Sequence, residues 1–144
     1  MAVRTKTPGL YETDETAWLE KSARLLKQKR FDEIDRRQLA EYLQDMARRD
    51  RREVMSRLTV LLTHMLKWEF QASHRTGSWR ATISAQRDEL QDLLESKTLR
   101  NHAEESLVRA YERAVEYASI ETRMDEEDFP SRCPYTLNQL LQKE

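Results

Sequence analysis

Seven side chains in the middle and C-terminal half of the sequence could bind or transform a ligand. They are His64, Lys67, Trp68, Trp79, Arg80, Arg87 and Glu121. The imidazole of His64 could serve as a general base or a metal ligand, two roles that histidine often has in proteins. Its neighbours Leu61 and Met65 place it at the edge of an apolar helix face. We therefore favour a histidine that bonds to a neighbouring helix at the boundary of the core.

Arg80 and Arg87 are seven residues apart. Seven residues are about two turns of an α-helix, so both side chains project from the same side. With Arg57 or Lys67 they could hold a phosphate or a carboxylate, since a guanidinium binds either group through two hydrogen bonds. The sequence favours a simpler role, in which they pair with carboxylates of the next helix, such as Glu112, Glu116 and Glu121.

Trp68 and Trp79 lie on either side of a predicted loop at residues 72–77. We expect both indoles to share a core with Leu61 and Ile83, since buried tryptophans contribute large apolar surfaces. Lys67 is expected to lay its methylene groups along this core and to expose its amine.

The motifs predict no catalytic residue, no cofactor and no metal site. His64, His74 and His102 fall on different predicted elements, and no zinc-binding motif includes them. Glu41 and Asp45 share a helix face without the Glu-x-x-His partner that helical di-metal sites use. The sequence also lacks a P-loop and a nucleophile elbow. The enzyme question stays open at this point, and a non-enzymatic protein is favoured.

Helices must position these side chains. Ala, Glu, Lys, Leu and Arg make up half of the 144 residues, against two Gly and three Pro, which is typical of long helices. We predict an all-α, single-domain bundle of four to five main helices over residues 11–144, after a flexible tail at residues 1–10. Thr13 or Asp14, Ser78 and Thr136 are the predicted N-terminal caps, and Asp35 with Gln38 resembles a capping box.

The second predicted helix carries apolar residues at helical spacing from Leu39 to Trp68. At 1.5 Å per residue it would be about 54 Å long, whereas a compact domain of this size is about 37 Å across. We therefore favour a break or a strong bend at residues 48–52, where no apolar residue falls on the stripe. A single helix through this run is the open alternative.

The segment after Met124 is too apolar for a free tail. It contains Phe129, Tyr135, Leu137, Leu140 and Leu141. We predict that it packs back onto the bundle as a short C-terminal helix, with Tyr135 and Leu140 contacting helices from the first half of the chain. Cys133 is then a shielded, packed thiol.

Charge divides the chain into a basic middle and an acidic end. Residues 48–87 contain nine Lys or Arg and three Asp or Glu, and residues 88–144 contain seven and fourteen. We favour helices that complement each other within one molecule over a nucleic-acid surface. One cysteine, no signal peptide and no membrane-length apolar run predict a cytoplasmic protein without a membrane partner.

Three strings carry a family resemblance: LLTHMLKW at residues 61–68, SWRATISAQR at 78–87 and CPYTLNQLL at 133–141. They resemble the bacterial family called domain of unknown function 29, from about Tyr11 to Leu141. LAEYLQDM at residues 39–46 fits the same pattern. The resemblance implies a small helical domain with no established activity.

The leading function hypothesis is a non-enzymatic, adaptor-like domain that binds a protein partner or itself. The alternative is a nucleic-acid-binding or toxin–antitoxin-like component that uses the basic region from Arg48 to Arg87. The third is the enzyme hypothesis, with His64, Arg80, Arg87 and Glu121 as its cluster.

Overall fold

The computed structural model describes residues 9–142, and these contain six α-helices and no β-strand. The helices are α1 (Leu10–Thr13), α2 (Glu15–Lys27), α3 (Arg36–Phe70), α4 (Gly77–Leu93), α5 (Lys97–Thr122) and α6 (Leu137–Leu141). Single 3₁₀ turns occupy Phe31–Glu33, Ala72–His74 and Glu126–Asp128. The predicted all-α fold is confirmed.

Polar residues begin most of these helices, because they satisfy backbone N–H groups that have no partner in the first turn. Asp14 accepts from the Ala17 N–H at 3.1 Å, and Asp35 accepts from the Gln38 N–H at 3.0 Å, both as predicted. Thr136 caps α6 in a reciprocal pair with Gln139. The predicted cap at Ser78 is wrong: α4 begins two residues earlier, where the Thr76 hydroxyl accepts from the Trp79 N–H at 3.2 Å.

Helix α3 is continuous over 35 residues, so the predicted break at residues 48–52 is wrong. Helix continuity depends on backbone hydrogen bonds and on propensity. Arginine is a good helix former, and the run contains neither Gly nor Pro. The absence of apolar residues from the stripe at residues 48–52 has a different consequence. The chain divides into two compact units at this point, one ending at Ala47 and one beginning at Arg48.

The N-terminal unit has a small aromatic core. Trp18 is buried, with the ring centre of Tyr11 at 4.6 Å and that of Tyr42 at 5.5 Å. Helix α2 ends where Lys29 adopts a left-handed φ of 57°. Residues 1–8, which include most of the predicted tail, lie outside the described residues, and Leu10 begins α1.

The C-terminal unit contains the main core. Its fully buried leucines come from α3, α4 and α6, and the buried alanines of α5 allow close approach of the helices. These residues are Leu58, Leu61, Leu62, Leu66, Leu90, Leu137, Leu140, Ala103, Ala110, Ala114 and Ala118. In the described part of the chain, no helix is long and apolar enough to span a membrane.

The C-terminal segment is docked on this core, as predicted. Phe129 packs edge-on against Phe70, with ring centres 5.8 Å apart. The Tyr135 hydroxyl donates to Glu69 of α3. Leu140 is fully buried, and its carbonyl accepts from the Arg87 Nε at 2.8 Å. The segment therefore completes the surface on which the candidate site lies.

Candidate functional site

The loop between α3 and α4 places Arg75 against the end of α3. Its Nε donates to the Trp68 carbonyl at 2.7 Å, and its guanidinium lies 4.7 Å from the centre of the Trp68 ring. The hydrogen bond satisfies a carbonyl that has no partner in the last turn of a helix. The ring contact adds a cation–π attraction. Arg75 is thus held in place although it belongs to an exposed loop.

An open groove lies beside Arg75, between α3 and α4. Successive turns of α4 contribute Arg80, Ile83, Ser84 and Arg87 to it. Its remaining lining comes from Met65, Trp68, Glu69, Arg75 and Tyr135. We call it the arginine groove. Its volume is about 700 Å³, enough for several side chains of a bound molecule.

The arginines of this groove use only part of their hydrogen-bonding capacity within the described residues. Arg87 uses Nε for the Leu140 carbonyl, and its Nη2 lies 3.9 Å from the Met65 sulfur. Arg80 is exposed and makes no ion pair within residues 9–142. The predicted pairing of Arg80 and Arg87 with carboxylates of α5 is therefore wrong, because Arg87 instead secures the docked C-terminal segment.

Glu69 is the one carboxylate among the described residues that line the groove. It accepts a hydrogen bond from Tyr135. Burial, and then the bond to Glu69, raise the pKa of Tyr135, so the phenol keeps its proton at neutral pH. Three guanidinium groups against one carboxylate leave a positive potential over an apolar floor.

Lys67 joins three helices next to this groove. Its side chain is 9% exposed, and its Nζ donates to Glu121 Oε2 of α5 at 2.7 Å. The same Nζ lies 4.6 Å from the centre of the Trp79 ring on α4. The amine predicted to be exposed is therefore buried. Trp79 lies beneath it, half-buried and outside the core cluster that contains Leu61 and Ile83.

A second groove lies between α3 and α5. Its lining residues are Arg52, Met55, Ser56, Thr59, Val60, Thr63, His64, Arg113, Tyr117 and Glu121. We call it the threonine groove, because the hydroxyls of Thr59 and Thr63 lie along it. Each donates to the carbonyl four residues earlier, at 2.8 and 2.7 Å. Its volume is about 340 Å³, half that of the arginine groove.

His64 lies in the threonine groove and bonds to its own helix. Its Nδ1 is 2.9 Å from the Val60 carbonyl. A carbonyl can only accept, so Nδ1 carries the proton, and Nε2 of a neutral ring is then an acceptor. The predicted bond to a neighbouring helix is wrong, because the carbonyl one turn back is within reach.

The seven candidate residues thus fall into three places. Trp68, Arg80 and Arg87 line the arginine groove, His64 and Glu121 line the threonine groove, and Lys67 and Trp79 stack beside Glu121. The two grooves share no lining residue. His64 and the two arginines therefore do not form one site.

Sequence reasoning named Arg75 only as part of the basic region and Tyr135 only as a contact of the docked segment, and it missed Glu69. An arginine in a loop that closes beside a tryptophan was a weak signal for Arg75. The docked segment was predicted to bring Tyr135 to a helix from the first half of the chain, but nothing in the sequence singled out Glu69, which is 66 residues away.

Comparison with known families decides what this chain is. Residues 10–144 match the family model described as Domain of unknown function DUF29. The chain belongs to this family. No curated protein and no solved structure matches it. The match covers both grooves and every helix of this DUF29 chain.

Two features of the described residues of this DUF29 chain bear on metal and thiol chemistry. Between Gly9 and Gln142, no group of three or more His, Cys, Asp or Glu side chains is placed to hold a metal ion. Cys133 is half-buried and packs against the core, and its Sγ donates to the Tyr135 carbonyl at 3.3 Å. Burial raises the pKa of its thiol, so it is a weak nucleophile at neutral pH.

Proposed function

We propose that this DUF29 chain is a non-enzymatic protein-interaction domain that holds its partner in the arginine groove. The observation that carries the proposal is the arrangement of Arg75, Arg80 and Arg87 around Trp68 and Ile83, with Glu69 already bonded to Tyr135. We further propose that it acts in the bacterial cytoplasm, because the family resemblance is bacterial and a chain with one cysteine suits a reducing compartment.

The chemistry of the groove suits a carboxylate-bearing partner. Arg75 and Arg87 each use Nε on a backbone carbonyl, which orients the guanidinium and leaves terminal N–H groups for a ligand. An oriented guanidinium loses less side-chain entropy on binding and can hold a carboxylate through two bonds. Arginine and tryptophan are also the residues that most often dominate protein interfaces.

The nucleic-acid alternative has less support. Arg57, one of the basic residues it relies on, bonds to Glu53 at 2.9 Å and lies 3.7 Å from a Glu89 oxygen. It also donates to Gln86 at 3.2 Å. These contacts neutralise Arg57. A pI of about 6.3 is low for a nucleic-acid-binding domain.

A pair of exposed serines provides the test. Ser84 lines the arginine groove and Ser56 lines the threonine groove. A photo-crosslinking amino acid at Ser84, expressed in the native bacterium, should capture a discrete protein that mass spectrometry identifies and that binds the purified chain. The same group at Ser56 should capture it much less.

Replacing the three groove arginines separates the alternatives. Arg75→Gln, Arg80→Gln and Arg87→Gln together should abolish the Ser84 adduct. A matched variant with Arg24→Gln, Arg36→Gln and Arg37→Gln should retain it, since these arginines are exposed and belong to the N-terminal unit. An adduct that nuclease removes would support the nucleic-acid alternative. Equal capture at both serines, or an adduct that survives the triple groove variant, would contradict the proposal.

A further inference from the structure

We infer that the partner held in the arginine groove is a second copy of this chain, which inserts an exposed stripe of α5. The stripe consists of Glu105, Val108 and Glu112. The inference rests on the proposed function and names the molecule that the groove binds. Its basis is a match of spacing, charge and exposure between two faces of the C-terminal unit.

The groove presents a charged–apolar–charged pattern along α4. Arg80 and Arg87 are separated by about 10.5 Å along the helix axis, at 1.5 Å per residue. Between them lie Ile83, which is buried and forms part of the floor, and Ser84, which is small and exposed. A ligand that fits this face needs two anionic groups about two helical turns apart, with an apolar side chain between them.

Helix α5 presents the complementary pattern. Glu105 and Glu112 are also seven residues apart, and both are exposed. Val108 lies between them on the same face and is 67% exposed, which is unusual for a valine. In the helices described, Glu105 and Glu112 are the one pair of acidic residues at this spacing in a single helix.

Both glutamates are available for an intermolecular contact. Neither makes an ion pair within residues 9–142. The carboxylate of α5 that does pair within the molecule is Glu121, with Lys67. The sequence thus has complementary charges on α4 and α5 that do not meet within one chain. Docking α5 of one copy on α4 of another would pair them.

A helix fits this groove better than an extended strand. Two residues seven apart on a helix share one face at the required separation. In an extended chain about the same separation needs three residues, whose side chains point to opposite faces. Helix-in-groove recognition is a known mode of peptide binding. With α5 alongside α4, Val108 would cover Ser84 and approach Ile83, Trp68 and Met65.

Sedimentation equilibrium over a range of protein concentrations tests this inference. The chain should self-associate, and salt should weaken the association because ion pairs contribute to it. Arg80→Glu with Arg87→Glu should raise the dissociation constant by more than about tenfold, as expected for loss of close charge pairs at an interface. Glu105→Arg with Glu112→Arg should do the same.

The decisive experiment combines the two charge reversals in one chain. A chain with all four substitutions again carries opposite charges on the two faces, so it should regain self-association. An equimolar mixture of the two double variants should associate for the same reason. Matched reversals at Arg36 with Arg37, and at Glu12 with Glu20, should leave the dissociation constant unchanged. Circular dichroism establishes that each variant remains folded.

The outcomes separate this inference from the proposed function. A strict monomer at every concentration, or a four-residue variant that does not regain association, would overturn the inference. If Ser84 then still crosslinks a different protein, the proposed function stands without it. If Ser84 captures nothing, both fail. An adduct between Ser84 of one copy and the region around Val108 of another would support both.

Discussion

The arginine groove and the threonine groove both border α3 but differ in how their polar groups are bonded. In the threonine groove, Thr59, Thr63 and His64 each bond to a carbonyl one turn back on their own helix. In the arginine groove, Arg75 and Arg87 donate from Nε to the backbone, and within residues 9–142 the one further hydrogen bond of these two groups runs from Arg87 Nη2 to the Met65 sulfur. Because charged donors that are oriented and only partly used favour an external partner, this difference is the reason why we propose the arginine groove as the binding surface.

The largest expected effect comes from removing the support beneath the arginine groove. Leu140 is fully buried, and its carbonyl holds Arg87. Leu140→Ala should lower the free energy of unfolding by about 2 to 5 kcal/mol, the range for emptying a buried leucine site. Urea denaturation measures this. The control Leu26→Ala, at a leucine that is 44% exposed, should change stability by less than about 0.5 kcal/mol. If the two variants lose the same free energy of unfolding, the C-terminal segment contributes little to stability.

The next effect concerns the buried ammonium of Lys67. Glu121→Gln removes the charge that Lys67 faces and leaves a weaker acceptor in its place. We expect a loss of about 1 to 2 kcal/mol, because Glu121 is 49% exposed and water partly screens the pair. In a double-mutant cycle, Glu121→Gln should no longer lower the stability once Lys67→Met is present. Additive losses in that cycle would show that the two residues are not coupled.

Alkaline pH should destabilise the region that surrounds Glu69 and the docked segment. Burial raises the pKa of Tyr111 from 10.0 to about 12, and burial also raises that of Tyr135. Both phenols ionise more easily in the unfolded chain. The stability that the two protonated phenols contribute is therefore fully present below pH 10 and is lost as the pH rises toward 12.

Melting temperatures measured from pH 8 to pH 12 test this prediction, since the raised pKa values of the two tyrosines place the loss of stability in this range. Tyr135→Phe should reduce the alkaline loss, since it removes one ionisable group. His64→Gln, in the threonine groove, should leave the shape of the profile unchanged. A profile that is flat through this range, or one that Tyr135→Phe does not alter, would contradict the assignment.

The smallest effect is expected at His64. Its ring bonds only to a carbonyl of its own helix, so His64→Ala should change the free energy of unfolding by less than about 1 kcal/mol. Capture of a partner through Ser84 should also be unchanged. A large loss of capture would indicate that the partner binds at the threonine groove instead.

The sequence predicted the fold better than the site. Apolar spacing and caps such as Asp14 and Thr136 act locally, so they indicated the helices and the docked C-terminal segment correctly. The break in α3 was predicted wrongly because apolar spacing reports burial, whereas a helix needs only backbone bonds and residues of good propensity. The interruption at Arg48 marks a boundary between compact units instead.

The site depended on contacts between distant parts of the chain. Arg87 was expected to meet α5, but the C-terminal segment occupies its Nε. Trp79 was expected in the core, but Lys67 stacks on it. Periodicity shows which face a residue occupies and gives no information on which distant segment covers that face. Arg80 and Arg87 were correctly placed on one side of a helix because that depends only on their spacing.

Arginine-specific chemical labelling tests the contrast between the two grooves most directly, because each contains arginines. Arg80 and Arg87 line one, and Arg52 and Arg113 line the other. Phenylglyoxal modification, quantified by mass spectrometry in dilute and in concentrated protein, reports which guanidinium groups become covered. We predict that Arg80 and Arg87 become protected at high concentration while Arg52 and Arg113 label equally in both samples. Protection of Arg52 and Arg113 alone would contradict the assignment of binding to the arginine groove, and labelling of Arg80 and Arg87 that does not change with concentration would contradict its occupation by a second copy of the chain.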